Sequence, residues 1–411
     1  MSNDPYFQTM FADRIGGSAY GKGTDIYKFE KIKRAKREAV RDFPDRPLLD
    51  FGIGENDEMA APAIRAALKE EVDEPENRGY ADNGIQAYKD AAADWLAREF
   101  GVTVDPVTEV NHCIGSKTAL AMLPAAFINP GDVTLMTTPG YPVAGTHTRY
   151  YGGSVYHLPL VAENDFRPDL DSIPAEVCRK AKLLVLNFPN SPTGALADES
   201  FYRKVVDFAR THRIVVVQDA AHIMLTYKRR ALSFLAVEGA KDVGVEVHSM
   251  SKGFNMIGWR LGFVAGHARI VRAFADIKDN SDSGQFIAIQ KAAVKALADP
   301  SLPARIRAKY ERRLEKLVAA LRGVGFNAQM PGGTYFLYVR APRGVQGGPT
   351  FENAESASQF LIRRRSICTV PWDDAGAYLR FSVTYTAPSE ADEDRMMEAI
   401  RRRLAGDTFV W

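Results

Sequence analysis

Cysteine is nearly missing from this chain of 411 residues. Cys113, Cys178 and Cys368 are odd in number and far apart, which excludes a disulfide framework and a paired-cysteine zinc site and fits a reducing cytosol. An excess of charge is missing too: Lys and Arg total 53 against 51 Asp and Glu, a net charge of +2. Neither a nucleic-acid-binding nor a membrane-surface protein is expected, and small molecules become the default partners. No run approaches the roughly 20 apolar residues that cross a bilayer. The opening MSNDPYFQTMFADRIGG has no basic stretch followed by an apolar one. A soluble, unexported, cytoplasmic protein with no membrane partner is the expectation. Repeats and low-complexity tracts are also lacking, and the 32 glycines are scattered rather than gathered into a linker.

What is present is length and apolar material. A chain this long exceeds the size at which one core stops growing, and 46% hydrophobic residues suffice for two lobes. Between about residues 105 and 266, the near-continuous apolar runs VTLMTT, KLLVLNFP, RIVVVQDA, VGVEVHSM and RLGFVAG alternate with helical patterns. Strands buried on both faces read this way, so an α/β fold with a mainly parallel sheet flanked by helices is predicted. Its active centre should lie at the carboxyl ends of the strands. The helical KYERRLEKLVAALRGVGF leads into the alternating GGTYFLYVRAP, which predicts a smaller α+β lobe from about residue 300, with residues 341–350 as the longest loop.

The chemistry-bearing residues fall at those strand ends. VVVQDAA ends on Asp219, which taken alone reads equally as a turn or helix-capping residue, or as an anion facing a cationic ring nitrogen. NFPNSPTG, residues 187–194, is turn chemistry after a strand. IGSKTALAML opens a helix at about Ser116, where free backbone N–H groups can hold a phosphate. The GSKT within it is not a nucleotide-binding P-loop, because Ser116 separates Gly115 from Lys117 and no glycine lies five residues before Gly115. In HSMSKGFNMIGWRLG, Lys252 sits among small and apolar residues, where its amine is desolvated and suited to Schiff-base chemistry. Arg260 in the same segment reads as half of a buried ion pair or as a phosphate ligand. Tyr141 in TPGYPVAG is a loop anchor or an aromatic stacked on a ligand ring. Together these parts describe one ligand: an aldehyde for Lys252, a pyridinium for Asp219, and a phosphate for Arg260, Ser249 or Ser251, and the helix start at Ser116. That ligand is pyridoxal 5'-phosphate.

The segment S-x-S-K-x7-R-L-G from Ser249 to Gly262 resembles the cofactor-attachment signature of the class I/II aminotransferases, and NFPNSPTG, VVVQDAA, SMSK and GWRLG follow in that family's order. Further stretches from about residue 20 to residue 403 resemble its LL-diaminopimelate aminotransferase branch. Among them are IYKFEKIKRAK, GIGENDEMA, NRGYADNGIQAYKDAA, MPGGTYFLYVRAP and TVPWDDAG. The resemblance implies a fold type I pyridoxal-phosphate-dependent transferase that exchanges amino groups between amino acids and 2-oxo acids, with the glutamate/2-oxoglutarate pair as one couple. It also implies a homodimer with shared active sites. Residues 51–299 would form the large cofactor-binding domain; residues 1–50, as an arm and part of the small domain, would join residues 300–411. By resemblance Lys252 carries the cofactor, Asp219 holds its ring nitrogen protonated, and Tyr141 packs near the ring. Gly115, Ser116, Lys117, Ser249, Ser251 and Arg260 surround the phosphate, and Tyr80 reaches the phosphate of the neighbouring subunit. Arg380 clamps the substrate α-carboxylate, the backbone at Gly54 approaches the substrate, and Asp282 crosses to the partner's site.

Two positions depart from the family pattern. Ser191 stands where the usual asparagine precedes Pro-Thr-Gly, with Asn190 one place earlier, and His222 replaces the usual tyrosine three residues after the aspartate. Both usual residues donate to the cofactor's phenolic oxygen, so His222 or Asn190 is expected to supply a substitute donor. Lys117, Tyr27, Glu55 and partner-chain residues are the candidates for recognising the distal end of the substrate. The alternatives are an aminotransferase for another amino acid, a lyase on the same fold, and a non-catalytic ligand-sensing protein; the last predicts a damaged Lys252 or Asp219, and both are intact.

Overall fold

The computed structural model describes residues 5–22 and 28–411, so Tyr27 lies outside the described residues. Seven strands build the central sheet: β1 (Val110–Cys113), β2 (Val133–Thr138), β3 (Ser154–Pro159), β4 (Ala181–Asn187), β5 (Val215–Asp219), β6 (Gly244–Ser249) and β7 (Gly262–Gly266). Their order is β1-β7-β6-β5-β4-β2-β3. The pairs from β6 through β3 are parallel, whereas β7 runs antiparallel to both β6 and β1. The run RLGFVAG therefore forms its predicted strand in the reverse direction. Apolar continuity reports burial on both faces and carries no information about strand polarity.

Alternation within the runs explains that burial. Val185, Val217, Val247 and Val264 pack with Leu120 and Leu123, while Leu184, Leu186, Val216, Phe263 and Ala265 pack on the opposite face with Trp95 and Leu96. Each such Val, Leu or Phe side chain contributes about 1.5–3 kcal/mol by leaving water. Register places Asn187 opposite Asp219 and Asp219 opposite Val247, so the carboxyl ends of β4, β5 and β6 share one edge. Gly262 pairs with Ser249 and Cys113, which brings Arg260 in at that same edge.

A second core gathers Leu49, Phe51, Leu225 and Tyr227 with apolar residues from Ile306 to Phe409. Its helices include α1 (Ser301–Arg322), α2 (Ala354–Arg365) and α3 (Glu390–Leu404). Its sheet is antiparallel, in the order β9-β10-β8, from β8 (Phe336–Arg340), β9 (Val370–Trp372) and β10 (Tyr378–Ser382). A capping box between Ser389 and Asp392 starts α3, and Arg401 to Arg403 end it, matching side-chain charge to the helix dipole. The expected loop at 341–350 is partly ordered by pairing, since Gly344 and Val345 lie antiparallel to Val410 and Phe409. Leu225 and Tyr227 reach this core from mid-chain; Tyr227 donates from its hydroxyl to the Thr334 carbonyl at 2.6 Å.

Candidate active site

Between the two cores, at the carboxyl edge of the large sheet, lies a cavity of about 290 Å³. Most of the residues expected at a site line it: Ser116, Lys117, Tyr141, Ser191, Asp219, His222, Ser249, Ser251, Lys252 and Arg260 from the large lobe, Gly54, and Arg380 from the small one.

Lys252 sits in the short helix Met250–Gly253 that follows β6, capped by the Ser249 hydroxyl accepting from Ser251 N–H. Its ammonium donates to the Gly54 carbonyl at 3.0 Å and stands 5.4 Å from the Tyr335 ring centre. Burial, with Arg260 and Arg380 adding and Glu55 opposing, lowers its pKa to about 8. Asp219 ends β5 and is 4% exposed. Its Oδ1 accepts from Ala221 N–H at 3.1 Å, and no ion pair among the described residues reaches it. Burial pushes its carboxyl up to about 6, the hydrogen bond from Ala221 opposing. Arg260 has φ +55, a left-handed conformation costly for a side-chain-bearing residue, and donates to the Ile257 carbonyl at 2.8 Å and to the Ser251 hydroxyl at 3.3 Å. Arg380 is 8% exposed; its Nη2 donates to the Gly52 carbonyl at 2.9 Å, its Nε has no partner among the described residues, and its guanidinium lies 4.2 Å from the Phe336 ring centre. Burial lowers its pKa to about 10.

The cavity thus carries Lys252, Arg260 and Arg380 around one lone buried carboxylate. A helix of 12 residues begins at Ser116, aiming free N–H groups at the same space. Such an arrangement suits a ligand with a dianion, a second anion and a cationic ring atom. Pyridoxal phosphate with an amino acid substrate has those groups, so the residues present fit that cofactor.

Other expected residues are placed elsewhere. Asn190 is fully buried away from the cavity: its Nδ2, the atom that would serve as the substitute donor, points to the Pro139 carbonyl at 3.5 Å, while its Oδ1 accepts from the Thr193 N–H and hydroxyl at 3.1 and 2.7 Å. Asn187 lines the cavity instead, donating to the Asp219 carbonyl and accepting from Ser191 N–H. His222 does line it; burial, with Lys252 and Arg380 adding, lowers its pKa to about 3, and its Nδ1 has no partner among the described residues. A neutral imidazole with a spare nitrogen can donate or accept there. Gly115 backs the cavity, with φ +75 and space for no Cβ, since one would stand 2.2 Å from Arg260 Nη2. Tyr80 is 85% exposed and Asp282 accepts from Lys278 and from Gly284 N–H; neither lines this cavity. Glu55 is exposed on the loop beside Lys252.

Residues that sequence reasoning missed include Tyr335 and Phe336 on the cavity wall and Asn56 behind it. Tyr335 donates to the Gly54 carbonyl at 2.6 Å, and Asn56 donates to the Lys252 carbonyl at 2.8 Å. Alternation in GGTYFLYV would send only one of the two inward; both line the cavity because Tyr335 precedes the strand that Phe336 opens. Nothing in the sequence pairs Asn56 with Lys252. Among the described residues no group of His, Cys, Asp and Glu is placed for a metal ion, and no helix is long and apolar enough to cross a membrane.

A half-buried lysine, a strand-end aspartate and an inner arginine with an unpartnered Nε around an anion-binding helix start, on a mostly parallel sheet, are the parts of an aminotransferase site. Residues 46–400 match the family described as aminotransferase class I and II, and the chain belongs to that family. It is 55% identical to the LL-diaminopimelate aminotransferase of Methanocaldococcus jannaschii over 98% of each chain, and 54% identical to that of Methanococcus maripaludis over 99% of this chain and all of the other. Among solved structures it is similar to substrate-bound BacF from Bacillus subtilis, with a TM-score of 0.83, 32% identity and 93% and 95% of the two chains covered. A Thermus thermophilus aspartate aminotransferase mutant shares the fold at TM-score 0.83 and 24% identity, over 96% of this chain and 99% of the other.

Proposed function

We propose that this aminotransferase moves an amino group from LL-diaminopimelate to 2-oxoglutarate with pyridoxal 5'-phosphate as cofactor, as a cytoplasmic homodimer with shared active sites. The observation that carries it is the single cavity joining Lys252, Asp219, Arg260 and Arg380; the near-full-length likeness to LL-diaminopimelate aminotransferases supports the choice of donor. The oxo acid left by diaminopimelate would cyclise to tetrahydrodipicolinate, a step toward lysine. Residues 51–299 would hold the cofactor, and residues 1–50 with 300–411 would form the smaller part.

When bound, the cofactor supplies an aldehyde for the amino group and an electron-withdrawing ring. Ser116, Lys117, Ser249, Ser251 and Arg260 would hold its phosphate, Asp219 would keep its ring nitrogen protonated, and Tyr141 would lie beside the ring. Arg380 takes the substrate α-carboxylate in its planar fork, exchanging its Gly52 carbonyl contact for an anion. With its pKa near 8, the Lys252 amine is deprotonated often enough near neutral pH to take the proton from the substrate Cα, and would deliver it to the cofactor's former aldehyde carbon. Tyr80 and Asp282, away from their own cavity, would serve the neighbouring subunit's site.

The deciding experiment is a half-reaction. LL-diaminopimelate added to the pyridoxal-loaded enzyme without an oxo acid should convert the visible spectrum to that of the pyridoxamine form. No change with it and rapid change with another amino acid would overturn the substrate. Arg380→Lys keeps the charge and loses the fork, so KM for every amino donor should rise about 100-fold with a smaller change in kcat. Gly115→Ala should displace the Arg260 guanidinium and weaken cofactor binding about tenfold by absorbance titration. Gly131→Ala, equally left-handed at φ +90 but facing open space, should leave cofactor affinity unchanged.

A further inference from the structure

We infer that Gln285 is a positioning residue for the cofactor phosphate: its side-chain amide holds the backbone of Arg260 in the left-handed conformation that carries the guanidinium to the start of the helix at Ser116. This rests on the reading of Arg260 as a phosphate ligand.

Arg260 needs support from outside its own segment. Its φ of +55 strains a residue that carries a Cβ, and it stands just before β7, where no ladder holds it. No backbone N–H among the described residues donates to the Trp259 or the Arg260 carbonyl. Gln285 Nε2 donates to both, at 2.5 and 2.8 Å, so the two hydrogens of one amide grip the peptide groups on either side of the strained Cα. The guanidinium directed by that backbone packs against Gly115, where a Cβ would stand 2.2 Å from its Nη2. Relaxation of Arg260 to the right-handed conformation would swing its side chain out of this place. Gln285 itself does not line the cavity, so it acts through Arg260 rather than on a ligand.

The amide is oriented in its turn. Gln285 Oε1 lies 3.1 Å from Nε2 of His112 on β1. His112 is fully buried, and burial, with Lys278 adding and Gln285 and Asp282 opposing, lowers its pKa to about 4, so the ring is neutral near pH 7. An amide oxygen only accepts, so Nε2 carries the ring proton and the NH2 group is left for the two carbonyls. The main chain of Gln285 is fixed as well. Its carbonyl accepts from Gln290 Nε2 at 2.8 Å, and the fully buried Gln290 accepts from Ile85 N–H at 2.9 Å. Gly84, at φ +87, lets that loop press on His112, since a Cβ there would stand 2.3 Å from the His112 Cβ. Held from both sides, Gln285 has its two donors aimed at the residue pair next to the cavity.

The test titrates the cofactor-free enzyme with pyridoxal 5'-phosphate and with pyridoxal, which has the same ring and aldehyde without the phosphate, and follows absorbance. Gln285→Met fills similar space with no donor. It should weaken binding of pyridoxal phosphate about tenfold and leave pyridoxal unchanged. Arg260→Met should lose about 100-fold on pyridoxal phosphate alone, and the double variant no more than that. Gln285→Asn keeps an amide but draws it back by one methylene; it should repeat the result and replaces the methionine variant if that one does not fold. Unchanged pyridoxal binding reports folding in each. Equal weakening of both ligands in the Gln285 variants, weakening of neither, or a further tenfold loss in the double variant would overturn the positioning role and leave Arg260 as a phosphate ligand. An Arg260→Met variant that binds both ligands as the wild type does would overturn the phosphate reading, and the inference with it.

Discussion

Lys252→Ala is expected to lower transamination by about 10⁴-fold or more, because one amine serves both as the cofactor's anchor and as the group that moves the substrate proton. The loss should be in kcat, since Arg380 and the phosphate-binding residues remain. Lys117 also lines the cavity, but it starts a helix on the anion-binding side, whereas Lys252 is the lysine turned toward Gly54 and Tyr335. Borohydride reduction of the pyridoxal-loaded enzyme followed by peptide mass mapping should place the adduct on Lys252 and on no other lysine. An adduct on Lys117, or turnover by the alanine variant near that of wild type, would remove Lys252 from its role.

Lys252, Asp219 and Arg260 were legible in the sequence for one physical reason. Each is a charged side chain set against strand-length apolar runs, and charge is expensive in such surroundings unless a ligand compensates it. The carboxyl-edge location followed from the same runs. Three features were not legible. The direction of β7 was hidden because burial does not encode polarity. Asn187 and Asn190 are equally good turn residues, and only the point at which β4 ends decides that the first faces the cavity while the second closes the turn. The loop from Gly52 to Glu58 was legible only as a resemblance. Its carbonyls accept from Arg380, Thr384, Lys252 and Tyr335, and its Asp57 pairs with the fully buried Arg313. These partners lie some 200 to 330 residues away along the chain, where local periodicity carries no signal. The same loop joins the lysine of one lobe to the arginine of the other, so substrate capture at Arg380 and the position of Lys252 are tied through two adjacent stretches of backbone.

Asp219→Asn should move stability and activity in opposite directions. In the cofactor-free protein the carboxyl titrates near 6 instead of its ordinary 3.8, because burial penalises the anion more than the Ala221 N–H stabilises it. A folded-state value above the unfolded one means that the group's contribution is fully favourable below about pH 3.8 and is lost as the pH rises through about 6. By pH 8 that loss amounts to roughly 3 kcal/mol. An amide cannot ionise, so the cofactor-free variant should melt above the wild type at pH 8, with the gap closing toward pH 4. Cofactor binding should reverse the order, since a cationic ring nitrogen gives the carboxylate the partner it lacks and gives the amide nothing of comparable strength. The loaded wild type should therefore gain more melting temperature than the loaded variant, and single-turnover rates in the variant should fall about 10³-fold. Coincident melts of the two cofactor-free proteins at pH 8 would show that no strained carboxylate waits in the cavity. A variant with undiminished turnover would show that the ring nitrogen does not depend on it.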